Sequence, residues 1–108
     1  MEIDVLGTKY NIIRGCSEEE EPLTKKYDGF VDDTVKKIVI SKMKPSEESL
    51  ERLDVYEKEV IRHEIIHAFL NESGLKSNSD WARNEEIIDY FSIQFPKMLK
   101  VFIQMSVL

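Results

Sequence analysis

The apolar residues fall at intervals of two in the first part of the chain and at intervals of three to four in the second, which predicts strands followed by helices. Ile3 and Val5 alternate with polar neighbours, Leu6-Gly7-Thr8-Lys9 supplies a turn, and Tyr10 with Ile12 resumes the period of two, so residues 2–14 read as a hairpin. Tyr27–Val31 and Lys37–Ser41 predict a second strand pair, joined through the turn formers Asp32-Asp33-Thr34. The unbroken apolar run Ile38–Ile40 predicts a strand covered on both faces and therefore interior, with Phe30 and its neighbours nearer an edge. Between the two pairs, from Gly15 to Lys26, the run Ser17-Glu18-Glu19-Glu20-Glu21-Pro22 has no period and carries four like charges, as a solvated loop does.

A helical period follows. Pro45-Ser46 with Glu47 and Glu48 has the composition of a helix start, and apolar residues recur at Leu50, Leu53, Val60, Ile61, Ile65, Ala68 and Phe69. Asp54, with Glu57 three residues on, offers a second start within that stretch, and Gly74 is the natural left-handed stop. Ser79 or Asp80 caps a second predicted helix from about Trp81 to Phe95, whose inward stripe reads Trp81, Glu85, Ile88, Asp89 and Ser92. Two acids on a stripe that should face a core are unexpected. Pro96 ends or kinks this helix, and Met98–Leu108 reads as a terminal one.

The size and composition narrow the function classes. At 108 residues the expectation is one domain over residues 1–108, with a modest core of two packed layers. The content of 42% hydrophobic and 33% charged residues is ordinary for a globular protein, and the net charge of -6 has the wrong sign for direct binding to nucleic acid or to an anionic membrane. Cys16 is alone, which rules out an intrachain disulfide and suggests a free structural thiol. The start MEIDVLGTKY has no cationic region followed by an apolar run, and no stretch approaches the roughly 20 apolar residues needed to cross a bilayer, so a cytoplasmic protein is expected. Ca or Mg binding by the acidic run is disfavoured, because it lacks the spaced ligands and Gly of a calcium loop.

The candidate chemistry lies in His63-Glu64-Ile65-Ile66-His67. On a helix, residues four apart stand one turn above each other, so both imidazoles can reach one cation while Glu64 leans over the same site without ligating it. This is the HExxH pattern of zinc hydrolases, in which the carboxylate acts as base toward the attacking water. Both histidines of the chain are in the motif, apolar residues flank it, and the next predicted helix offers a carboxylate to complete a His, His, Glu set. A solvated helix face is the bland alternative.

HEIIHAF resembles the HExxHA core of thermolysin-like gluzincins, and Asn84-Glu85-Glu86-Ile87-Ile88-Asp89 resembles their NExxxD segment. In size the chain is more similar to the ImmA/IrrE-type metallopeptidases and minigluzincins, with Glu85, Asp89, Phe91, Ser92 and Pro96 standing where that pattern runs ExxxN/DxFA and ends near Pro. The resemblance covers about residues 27–96. It implies a zincin-like α+β fold, Zn2+ held by His63, His67 and Glu85, Glu64 as general base, and Asp89 orienting a ligand histidine. The Gly common in the family's HExGH is Ile66 here, and no histidine follows His67, so the oxyanion-stabilising residue is left to Tyr27, Arg62 or Tyr90. Adjacent helical residues point about 100° apart, so Glu85 and Glu86 compete for the third position. Asp89, four after Glu85 on the same face, favours Glu85.

The expected architecture is a small antiparallel sheet of three or four strands packed on the HExxH helix, with a second helix delivering the glutamate. The expected activity is zinc-dependent hydrolysis of a peptide bond in an intracellular protein, bound extended against the edge at Gly29–Asp32. Two rivals are a zinc-containing but proteolytically silent partner-binding protein, such as a regulator of phage or mobile-element origin, and a helical interaction protein without metal.

Overall fold

A computed structural model of the chain describes residues 1–45 and 51–108 and has an α+β architecture: a mixed four-stranded sheet and three helices. Strands β1 (Glu2–Val5) and β2 (Thr8–Cys16) form an antiparallel hairpin, and β3 (Gly29–Asp32) and β4 (Lys37–Ser41) form another. The first turn is only Leu6-Gly7, both at positive φ, because Thr8 already pairs with Val5. Asp4 Oδ1 accepts from the Gly7 N–H at 2.7 Å and holds that turn closed.

The sheet order is β1-β2-β4-β3, and β2 pairs with β4 in parallel. The expectation of a purely antiparallel sheet is therefore corrected. The physical reason lies in β4: Ile38, Val39 and Ile40 are fully buried, so the strand needs a neighbour on each side. The chain leaves β2, runs to the outer edge as β3 and returns inward as β4, which brings β4 beside β2 in the same direction. A register shift between Ile13 and Cys16, where Gly15 takes φ 69°, bends the end of β2. β3 is left at the edge, as the pattern suggested.

Helix α1 (Leu53–Glu72) lies across this sheet. The start expected at Pro45-Ser46, with Glu47, Glu48 and Leu50, falls largely on residues 46–50, outside the described residues. α1 itself begins after Arg52, and Asp54 is in its first turn, paired with Arg52 at 2.9 Å instead of capping. Gly74, at φ 82°, supplies the left-handed stop, and the short α2 (Leu75–Asn78) follows. A 3-10 turn over Asp80–Arg83 then leads to α3 (Glu85–Gln104).

Two expectations for α3 are corrected. Trp81 belongs to the preceding turn and is 48% exposed, and the helix starts four residues later because Asn84, not Ser79 or Asp80, is the cap: its Oδ1 accepts from the Ile87 N–H at 3.1 Å. Pro96 neither ends the helix nor separates a terminal one. A proline has no N–H for the carbonyl four residues back, here that of Ser92. Arg62 Nε donates to the Ser92 carbonyl from α1 at 2.5 Å, so the acceptor is satisfied from outside and the helix continues to Gln104.

The core gathers Val5, Tyr10, Ile12, Ile38 and Ile40 of the sheet under Ala68 of α1, with Val60, Ile61 and Ile65 against it. Burying residues of this size stabilises by about 1.5–3 kcal/mol each. α1 meets the sheet with one side and α3 with the other. Its apolar residues are accordingly spread around the helix instead of forming one stripe. Tyr10 is wholly buried, with its hydroxyl 2.7 Å from Glu72 Oε1 and 3.2 Å from Asp33 Oδ1, and Lys36 Nζ reaches the same two carboxylates at 2.7 and 3.0 Å. This network ties β2 and the β3–β4 turn to the C-terminal end of α1. Cys16 is a buried free thiol. Among the described residues no helix is long and apolar enough to cross a membrane.

Candidate metal centre

One turn of α1 separates His63 from His67, and their Nε2 atoms lie 3.1 Å apart. α3 runs antiparallel alongside, which sets its first turn against these two rings. Glu85 straddles them, with Oε2 at 3.0 Å from His63 Nε2 and Oε1 at 3.2 Å from His67 Nε2. Taken with one donor atom per residue, the three groups all lie within 4.8 Å of one another. Glu86 is exposed and stands outside this group.

On its other side the His63 ring is fixed by Asp89, whose Oδ1 is 2.8 Å from His63 Nδ1. A proton on Nδ1 satisfies that carboxylate and leaves the Nε2 lone pair directed at the cluster, the tautomer that a metal ligand requires. Burial lowers the proton affinity of His67 against the opposing pull of Glu85, which favours a neutral ring. Two lone-pair nitrogens and a carboxylate converging on one point repel unless a cation stands among them, and this donor set is that of His2Glu zinc sites. The residues fit the ion.

Glu64 leaves the same turn of α1 toward the sheet and is 6% exposed. Its Oε1 lies 4.0 Å from His63 Nε2, and its Oε2 has no hydrogen-bond partner among the described residues. Burial pushes its pKa up to about 7; His63 opposes this shift and Glu85 adds to it. Its room comes from Gly29 at the start of β3, where an added Cβ would stand 3.0 Å from Glu64 Cγ.

The cluster opens into a cavity of about 700 Å³ walled by edge strand β3 on one side and by α2 and the Asp80–Arg83 turn on the other. Of the five residues singled out from the sequence, His63, Glu64, His67 and Glu85 line this cavity, and Asp89 joins them from behind the His63 ring. Of the three oxyanion candidates only Tyr27 lines the cavity; Tyr90 is exposed and packs edge-to-face on Phe91, and Arg62 is committed to the Ser92 carbonyl. Lys76, Arg83 and Asn71 line the cavity as well. No periodicity marks them, since the turn at Gly74 and the short elements after it bring two of them there. No protein-family model, curated protein or solved structure matches the chain.

Proposed function

We propose that the protein is a minimal zincin-like, zinc-dependent peptidase that hydrolyses a peptide bond in an extended segment of an intracellular protein. The observation that carries this reading is the convergence of His63, His67 and Glu85 beside a buried carboxylate, Glu64, one oxygen of which has no partner among the described residues. When bound, zinc would supply Lewis-acid activation of water and of the scissile carbonyl. His63, His67 and Glu85 would hold the ion, and Asp89, at 2.8 Å from His63 Nδ1, keeps that ring turned toward the cluster. Glu64, whose burial raises its proton affinity toward neutrality, accepts the proton of the attacking water at its free oxygen and returns it to the leaving amine. The edge of β3 offers unpaired backbone groups on which the substrate can lie as an added strand, within the same cavity.

The test measures two quantities in parallel. Protein purified without chelator is expected to carry about one zinc per chain, and Glu64→Gln is expected to keep the metal and lose hydrolysis, because an amide retains the shape but cannot take up the proton. Protein that neither holds zinc nor is stabilised by it would remove the reading. Zinc retention with no Glu64-dependent cleavage of any peptide would instead establish a zinc-containing but proteolytically silent protein.

A further inference from the structure

Two lobes of unlike charge meet at His63 and Glu64, and the wide one holds His67 and Glu85 as well. The wide lobe, about 700 Å³, is lined beyond the cluster by two cations, Lys76 and Arg83. The narrow lobe, about 210 Å³, shares Tyr27, Gly29, His63 and Glu64 with it and adds the neutral Tyr56, Val60 and Ser92 and three acids, Asp28, Glu59 and Asp89, with no cation. In a chain with 21 acidic and 15 basic residues, two cations meeting at one end of a cleft oppose the overall balance.

The two cations are held differently. Arg83 has one guanidinium nitrogen 2.5 Å from Asp80 Oδ1 and another 3.2 Å from the Lys76 carbonyl, which draws it against the residue whose charge it reinforces. The Arg83 and Asp80 side chains are 51% and 99% exposed, so this pair is weak and Arg83 can exchange Asp80 for another carboxylate at little cost. Lys76 forms no ion pair among the described residues, and it lines the same lobe as His67 and Glu85. Along edge strand β3, Asp28 lines only the narrow lobe, whereas Phe30 and Val31 line only the wide one. An extended chain lying on this edge therefore passes from acidic to basic surroundings as it crosses the metal cluster.

We propose that the cleft selects extended peptide segments carrying an acidic side chain that docks between Lys76 and Arg83, at the Val31 end of β3, with the narrow lobe rejecting an acid on the other side of the cluster. This names the substrate class for the peptidase proposed above and rests on that reading for the chemistry, though not for the binding. Exposed ion pairs are each worth up to about 1 kcal/mol, so two cations acting together give a preference on the order of tenfold that shrinks as salt rises.

A positional-scanning decapeptide library, with one residue fixed at a time, tests the proposal in two arms: binding to zinc-loaded Glu64→Gln protein, and hydrolysis by the unaltered protein. Asp and Glu are expected to be favoured over Lys and Arg at one position, by about tenfold at low salt. Lys76→Glu is expected to abolish that preference, and Lys76→Glu with Arg83→Glu to reverse it, with zinc content unchanged in both. Lys76→Glu alone keeps the test valid if the loss of Arg83 disturbs the Asp80–Arg83 turn. Acid-selective binding without any hydrolysis would support this subsite while refuting the peptidase reading. Glu64-dependent hydrolysis with no acid preference, or with one that survives Lys76→Glu, would overturn the subsite and leave the peptidase standing. Absence of peptide binding in every pool would overturn it as well.

Discussion

Gly29→Ala isolates the contact that makes room for Glu64. The backbone at residue 29 does not require glycine, and in a conformation open to any residue Gly→Ala normally stabilises by about 0.4–1 kcal/mol through the unfolded chain. Here the new methyl would stand 3.0 Å from both Glu64 Cγ and Val60 Cγ1 and 3.3 Å from Ile40 Cδ1. Optimal carbon–carbon separation is about 3.5–4.0 Å, so at least two contacts are too short by about half an ångström. Val60 is β-branched and stiff in a helix, so the side chain that gives way is Glu64. Overpacking of this kind costs about 1–3 kcal/mol. Against the unfolded-state gain, the expected net destabilisation is about 1–2 kcal/mol, or about 4–8 °C in Tm per kcal/mol. Urea and thermal unfolding of Gly29→Ala, Val60→Ala and the double variant measure it, and the pair should be less destabilised than the sum by at least about 0.5 kcal/mol, since the smaller residue opens the space that the methyl needs. An alanine variant as stable as the parent, or strict additivity with Val60→Ala, would refute the contact.

Three other outcomes follow from the geometry. Glu85→Ala should reduce zinc affinity well beyond the about 10–100-fold typical of losing an orienting partner such as Asp89, whereas Glu86→Ala should leave it unchanged; a metal titration giving the reverse ranking would contradict the placement of α3. Lys36, with help from the Tyr10 hydroxyl, holds the Glu72 carboxyl at about 2 instead of 4.5, so its contribution to stability is fully present above pH 4.5 and is lost as pH falls through about 2; Glu72→Gln should lower stability at neutral pH and flatten the acid limb, and an unchanged pH slope would count against the network. Cys16 is 3% exposed, and burial followed by Glu20 and Glu21 raises its thiol pKa, so iodoacetamide should alkylate it far more slowly in the native protein than in urea; equal rates would mean that the end of β2 is open.

The site was legible where chemistry follows from spacing along one helix. His63 and His67 need only the four-residue interval, and Asp89 distinguishes Glu85 from Glu86 by the same interval on the second helix. The two acids that looked out of place on an inward stripe are the ones that meet the imidazoles. The edge position of Gly29–Asp32 followed from its more polar composition beside the run Ile38–Ile40. Pairings between distant segments were not legible. Nothing in residues 8–16 or 37–41 states that they run parallel, because either direction would bury Ile12 and Ile38. Propensity also misplaced the start of α3, where Ser79 and Asp80 are as good caps as Asn84, and the choice rests on how the turn after Gly74 packs. The cations of the wide lobe had no signal at all, since Lys76 and Arg83 reach the cleft only through those short elements.

The bond from Arg62 to the Ser92 carbonyl has a consequence for the order in which the molecule assembles. Because Pro96 cannot close its own turn, an isolated α3 would carry an acceptor that only solvent could satisfy, and a helix interrupted there propagates poorly. Contact with α1 completes that turn, and the residue that completes it immediately precedes His63. The second helix thus finishes winding on the first, in the same event that brings Glu85 and Asp89 to the imidazoles. The two halves of the candidate metal centre would then form together as the helices dock.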